Sequence, residues 1–279
     1  MKRLTSIIYR VLSILLTTFG IYGCESTHQY DYDPYLNIHY EETFHLSAVP
    51  HAPYCDFSID YSYLNEEGDS IAGIINRNIQ REFLGEDYTS LEPEVAVDSF
   101  RNTYLRNYQR EVGELYEADK AKANSEEEIP AWYNQTYSMV TFLDEGYNGT
   151  MTTSANFYVD SGGAHPNQWS RWINFDFETG KLLTKEEVFL LSAKSDIERI
   201  LFDHLIHMQA KLHPDETIKT LEDLQKKGFL QMTNIYIPDN FLLRKEGVFF
   251  LFNRYDIAPY SAGEIVLEIP YEEIGPYLK

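Results

Sequence analysis

Two hydrophobic periodicities take turns along this chain. Period-2 alternation runs from Tyr40 to Leu46 and, after the breakers Pro50 and Pro53, from Cys55 to Leu64. The second run places Phe57, Ile59, Tyr61 and Tyr63 on one face, so both read as strands. Asn65-Glu66-Glu67-Gly68 is a turn, with Asp69 or Ser70 placed to cap a helix. The period then changes to 3.6. Ile71, Ile74, Ile75, Ile79 and Phe83 predict an amphipathic helix over Ser70–Leu84, stopped by Gly85. A second helix opens at Pro93, a favoured first-turn residue, with Val97, Phe100, Tyr104, Tyr108, Val112 and Leu115 as its buried stripe. Glu117 to Glu128 is charged and aperiodic, which predicts fraying into a loop that ends at Pro130.

Strand-like runs resume over Trp132–Asp144, Tyr147–Val159 and Trp169–Phe177, the first two predicted to pair antiparallel across Glu145-Gly146. Between the second and third lies Gly162-Gly163-Ala164-His165-Pro166, where the glycines permit positive φ and Pro166 drives His165 out of the helical region. The chain must turn sharply there, and Glu178-Thr179-Gly180-Lys181 predicts a second tight turn. Thr184 and Glu187 have capping-box spacing, so a helical turn holding Val188 and Phe189 is expected next. Ile197 to Leu212 predicts a long helix stopped by Pro214, and Leu221 with Leu224 a short one before Gly228. A hairpin of Phe241–Leu243 and Gly247–Phe252, a loop over Ile257–Gly263, a strand over Ile265–Ile269 and a terminal helical turn from Tyr271 complete the chain. This order predicts an α+β fold: antiparallel sheets packed with two to four helices, in two closely associated subdomains, with a soft boundary near residue 150 and sheet strands shared across it.

The N-terminus changes the picture from fold to address. Lys2, Arg3 and Arg10 precede or interrupt an apolar run from Ile7 to Tyr22, short of the roughly 20 residues a membrane span needs. The run ends Ile21-Tyr22-Gly23-Cys24, which resembles the cleavage box of bacterial lipoproteins with Cys24 as the lipidated first mature residue. Tyr22 is bulkier than the small residue usual there, and an uncleaved anchor is the alternative. With Cys24 lipidated, Cys55 has no disulfide partner and reads as a small buried hydrophobe. The chain carries a net charge of −21, and removal of residues 1–23, which hold basic but no acidic residues, makes the remainder more acidic. Such a surface repels nucleic acid and anionic lipid, keeps an envelope protein soluble, and suits a cationic partner.

Chemistry is sparse. His165 sits in the most constrained loop, yet no His, Cys or carboxylate pair stands beside it at ligand spacing, and a structural imidazole bonded to the turn backbone accounts for it. Ser161 beside two glycines lacks the strand-turn-helix context of a nucleophile elbow. His204 and His207 share a helix face near Asp203 and His213, but no third metal ligand stands at a recognisable spacing. No catalytic residue, metal or cofactor is therefore expected. The loop aromatics are the better candidates for binding: Trp169 and Trp172 beside the first turn, Tyr255 and Tyr260 in the later loop, with filling of the core as their bland alternative.

Gly162 to Asn167, Asn174-Phe175-Asp176 and Thr179-Gly180-Lys181, then Gly247 to Phe250, Tyr255 to Tyr260 with Gly263, and Ile269-Pro270-Tyr271, resemble the extracytoplasmic domain of RsiV-type anti-sigma factors. The part from about Tyr40 to Asp144 is similar to the domain that precedes it there and in PdaC-type peptidoglycan deacetylases. The resemblance divides the chain into a signal peptide at 1–23, a tether at 24–38, a PdaC-like domain at 39–150 and an RsiV-like domain at 151–279. RsiV-type proteins carry a sigma-binding segment ahead of their membrane span and PdaC-type proteins a deacetylase domain behind these modules, so what the resemblance carries over is the shared extracytoplasmic module. In RsiV-type proteins that module binds lysozyme, a cationic protein. The expectation is a lipid-anchored envelope protein, on the periplasmic or cell-surface side, that binds a lysozyme-like protein or peptidoglycan fragments without catalysing a reaction. Gly162, Gly163, His165, Pro166, Trp169, Trp172, Tyr255 and Tyr260 form its candidate rim. The alternatives are a cell-wall or metal-dependent hydrolase acting through the His165 loop and a structural accessory subunit of an envelope complex.

Overall fold

The computed structural model describes residues 33–279 apart from 50, 125–128 and 130; the segment expected as a signal peptide, Cys24 and most of the expected tether lie outside the described residues. Strand β1 (Tyr35–His45) begins five residues before the alternation at Tyr40 becomes legible, and pairs antiparallel with β2 (Tyr54–Leu64) along its whole length. Tyr35 to Ile38, expected as tether, are strand because they complete the ladder opposite Tyr61 to Leu64. Helix α1 (Ser70–Phe83) starts where Asp69 accepts hydrogen bonds from the N–H groups of Ile71 and Ala72, and its buried stripe includes Ile75 and Ile79. Helix α2 (Pro93–Lys120) runs on through residues expected to fray. Its stripe ends on Tyr116, edge-on to Tyr133 at 5.6 Å, and Leu115 is 63% exposed. The expected Leu115 contact is thus displaced by one position, because Tyr133 packs on the next residue around the helix.

After the helices come β3 (Gln135–Glu145), β4 (Thr150–Asp160), β5 (Asn167–Asp176) and the two-residue β6 (Leu182–Leu183). One sheet holds all six strands in the order β1-β2-β3-β4-β5-β6. Every pairing in it is antiparallel except β2 with β3, which is parallel. The exception has a topological cause: α1 and α2 carry the chain back over one face, so β3 enters beside β2 in the same direction. That face and the helices enclose a first core built on Phe57, Ile59, Tyr61, Ile75, Met139 and Phe175.

The rest of the chain builds α3 (Lys185–Val188), α4 (Lys194–Leu212), α5 (Leu221–Lys226), a three-stranded antiparallel sheet of β7 (Phe241–Leu243), β8 (Gly247–Phe252) and β9 (Ile265–Pro270), and α6 (Tyr271–Ile274). Thr184 and Thr220 close capping boxes on α3 and α5. A second core forms where α4 packs on this sheet, around Phe189, Leu201, Leu205, Phe250, Phe252 and Ile269. Among the described residues there are six helices, of which α3 and α6 are the single turns expected. Pro34–Lys279 is one compact unit with the α+β architecture the periodicities predict. The first sheet runs unbroken through residue 150, and the two cores change over between Leu182, packed on the first, and Leu183, packed on the second.

Candidate binding site

The site is built on a row of amides that joins the two sheets. Where β6 ends, β5 has backbone groups that no strand takes up, and asparagine side chains fill them. Ser170 donates its N–H to Asn253 Oδ1 at 2.7 Å, and its carbonyl accepts from the Nδ2 of both Asn253 and Asn240. Asn240 Oδ1 takes the Trp172 N–H at 3.0 Å. Asn174 works the other way: its amide accepts from Leu243 N and donates to the Phe241 carbonyl of β7, both at 2.8 Å. A primary amide has a donor and an acceptor side by side, so each of these residues stands in for a strand's peptide group. Ser170 and Asn174 are buried, where unpaired backbone would be costly. The Ser170 hydroxyl completes the seam against Asn156 and Glu264.

This seam holds two loops together at the end of β5. The first leaves β4 at Asp160, whose carboxylate accepts the Gly162 N–H at 3.0 Å. Gly162 has φ +75°, and a Cβ there would lie 2.4 Å from the Trp132 carbonyl oxygen, so both conformation and space require glycine. Gly163 does not share this: it has no positive φ and open space around it, so only one of the two expected glycine positions is conformationally demanding. The second loop comes after β8, where Asn253 turns back through Asp256; the Asp256 carboxylate accepts the Asn253 N–H at 2.7 Å, and burial holds its carboxyl above the ordinary range.

Ninety residues apart in sequence, the two loops meet ring to ring. His165 stacks on Tyr260 with centroids 4.1 Å apart, and Tyr255 lies 5.6 Å from Tyr260. Tyr260 donates its hydroxyl proton to the Pro166 carbonyl at 3.0 Å. The imidazole has Nδ1 3.2 Å from the Pro166 carbonyl and Nε2 3.4 Å from the Tyr255 hydroxyl. The neutral tautomer protonated on Nδ1 serves both, donating to the carbonyl and accepting from tyrosine. Tyr255 is 62% exposed and has φ +70°, a strained conformation for a bulky residue. The Arg254 guanidinium lies 5.3 Å from the Tyr260 ring centroid, in cation–π range. The result is a patch on a braced base in which the His165 imidazole and Tyr255 are exposed and Tyr260 and Arg254 are half-buried beneath them.

Of the residues expected at a rim, His165, Pro166, Tyr255 and Tyr260 are brought together, with Gly162 shaping the loop. The two tryptophans are separated. Trp169 stacks on Phe157 at 4.7 Å and is 38% exposed, whereas Trp172, three residues along the same strand and so on the opposite face, lines a small cavity of about 120 Å³ with Arg171, Leu182 and Asp239. Sequence reading missed Arg254 and the amide row. Its trace was present: Asn174 interrupts Ile173 and Phe175, while Asn240 and Asn253 each abut an apolar strand run.

The helix histidines go elsewhere. His204 pairs with Glu273 at 3.0 Å and His213 stacks on Phe229. Among the described residues, no three His, Cys, Asp or Glu side chains gather where they could hold a metal ion. Cys55 is fully buried, and burial, with Asp56 and Glu42 nearby, pushes its thiol up to about 12. Two clefts of about 410 Å³ lie apart from the rim residues, one beside the stacked Tyr147–Tyr271 pair and one beside Phe202 and Asn234. No helix among the described residues is long and apolar enough to cross a membrane.

Comparison with known proteins finds a family match over part of the chain and a likeness of fold over most of it. Residues 186–272 match the family model described as "Protein of unknown function (DUF3298)". A DUF3298-family member from Bacteroides fragilis NCTC 9343, solved by crystallography, superposes with a TM-score of 0.76 at 24% identity, over 88% of this chain and 93% of that one. A second family member, from Pseudomonas aeruginosa PAO1, gives a TM-score of 0.57 at 18% identity, over 89% and 95% of the two chains. No curated protein matches the chain. The property shared at these identities is the fold. The matched segment holds the Tyr255–Tyr260 loop but begins after the Gly162–Asn167 loop.

Proposed function

We propose that this chain is a lipid-anchored protein of the bacterial cell envelope that works by binding, with the His165–Tyr255–Tyr260–Arg254 patch as its contact surface. The observation that carries this reading is the patch itself. Two loops distant in sequence are braced by half-buried amides so that a tyrosine with strained backbone is held out to solvent. Rigid exposed tyrosine with arginine beside it is the composition of an interface anchor, since little side-chain entropy is lost on contact. The resemblance to RsiV-type modules and the net charge of −21 favour a cationic protein of the lysozyme type as ligand, with peptidoglycan fragments as the second candidate. Cys24 is the proposed lipid attachment site and Cys55 takes no part.

The test is retention of the full chain on immobilised lysozyme and, in parallel, on insoluble peptidoglycan at low salt. Tyr255→Ala is expected to fold normally and to weaken retention at least tenfold, about 1.4 kcal/mol. Absence of retention on both supports, or retention untouched by Tyr255→Ala, contradicts the reading. Turnover of peptidoglycan that disappears in His165→Ala favours the hydrolase instead.

A further inference from the structure

The six-stranded sheet has an open end at β1. Eleven residues of β1 pair with β2 without a bulge, and among the described residues no strand pairs with its other side. Such an edge is a template for another strand, and proteins usually blunt it with proline, lysine or a bulge. β1 has none of these; of the other devices it carries one inward-pointing charge, Glu42, which is met by Arg101 of its own chain. Its apolar residues Leu36, Ile38, Tyr40 and Phe44 pack on the first core yet stay only half-buried.

Which backbone groups point outward can be read from the ends of the ladder. Asn65 donates its N–H to the Pro34 carbonyl, and Leu46 donates to Pro53. In the antiparallel register these are directly opposed pairs, so the even-numbered residues of β1 bond to β2. The N–H and C=O groups of Asn37, His39, Glu41 and Thr43 therefore face away from the sheet. Their side chains stand on its uncovered face, where His39 contacts Asp60 and Thr43 bonds to Asp56.

We infer that β1 is a homodimer edge, pairing antiparallel with β1 of a second copy about a two-fold axis at Tyr40. Centring there overlaps the strands fully and opposes Asn37 to Thr43 and His39 to Glu41, each with outward backbone groups. On the other face it opposes Tyr40 to itself and Leu36 to Phe44. Glu42, which Arg101 approaches at 3.5 Å, stands opposite Ile38. Shifting the axis one residue sets His39 against His39 or Glu41 against Glu41, so only the Tyr40 register places an imidazole, a hydrogen-bonding group, opposite a carboxylate. A second copy fits because strand length, the opposition of His39 to Glu41 and backbone parity are self-complementary, as an isologous contact requires.

Sedimentation velocity of the full chain in mild detergent tests this. The chain is expected to sediment as a dimer. Glu41→Pro removes an outward N–H while leaving the bonds to β2 in place, and is expected to weaken dimerisation at least tenfold. Oxidation of Tyr40→Cys gives a check independent of the proline variant's folding. Its sulfurs meet at the axis, with Cα atoms about 4.5 Å apart in a pair of this type, so crosslinked dimer is expected above the level of the unmodified chain. Ile38→Cys, opposite Glu42, is expected to stay at that level. A monomer at every concentration, a dimer indifferent to Glu41→Pro, or Ile38→Cys crosslinking as readily as Tyr40→Cys overturns the inference.

Discussion

At the scale of single residues, the polar side chains with the largest structural consequence are amides. Asn174 satisfies one carbonyl and one N–H of β7 in a site where it is 1% exposed. Asn174→Ala leaves both groups buried and unpaired, so a loss of about 2–4 kcal/mol in urea unfolding is expected. Asn174→Asp keeps the acceptor for Leu243 but loses the donor to Phe241 and adds a buried charge, so it should be no better. Asp176, two residues on, tests electrostatics at an exposed site. Its carboxylate accepts the Thr179 hydroxyl proton at 2.6 Å and the Thr179 N–H at 2.8 Å, and these bonds hold its carboxyl below the ordinary range, the hydroxyl contributing most. A carboxyl whose folded pKa is depressed stabilises the fold above its unfolded value of about 3.9 and loses that contribution as pH falls through the folded value. Asp176→Asn is therefore expected to be less stable than the natural chain at pH 7, with the gap closing below about pH 4. Urea midpoints measured at both pH values check the sign, and a gap that widens in acid contradicts it.

At the scale of elements, legibility tracked periodicity. The 3.6 pattern of Ile71, Ile75 and Ile79 located α1 to within a residue of its observed end, and alternation located β2, because a half-buried element records its burial in its own sequence. The exceptions share a cause, which is contact with something remote. Tyr35 to Ile38 became strand through β2, and Leu115 yielded its place to Tyr116 through Tyr133. The parallel pairing of β2 with β3 is a property of the path between them, not of either strand. Trp169 and Trp172 flank the same turn in sequence, but odd spacing on a strand sends them to opposite faces, so proximity along the chain misled where alternation would have separated them. The open edge of β1 belongs to this scale too: its outward groups are fixed by ladder parity, and its pairing partner is what the dimer experiment decides.

At the scale of the whole molecule, two cores on either side of Leu182 and Leu183 belong to one compact unit, and the asparagine seam bonds across their junction. The motifs that carry the family resemblance divide into two uses. Asn174, Asp176 and Gly162 are occupied with backbone, whereas His165, Tyr255 and Tyr260 are displayed. The sequence could point to His165 and Tyr255 separately, but their meeting across ninety residues, with Arg254 alongside, depends on side chains whose role emerges only when β5 and β8 are placed together. The central claim, that this junction is the contact surface, is tested most directly by hydrogen exchange of the full chain with and without lysozyme and, separately, peptidoglycan fragments. Slowed exchange confined to the segments 162–169 and 253–263, and lost in Tyr255→Ala, is the predicted result. Protection that falls instead on the cleft beside Tyr147 and Tyr271 or on the uncovered face of β1 to β3, or that is absent with both ligands, would contradict it.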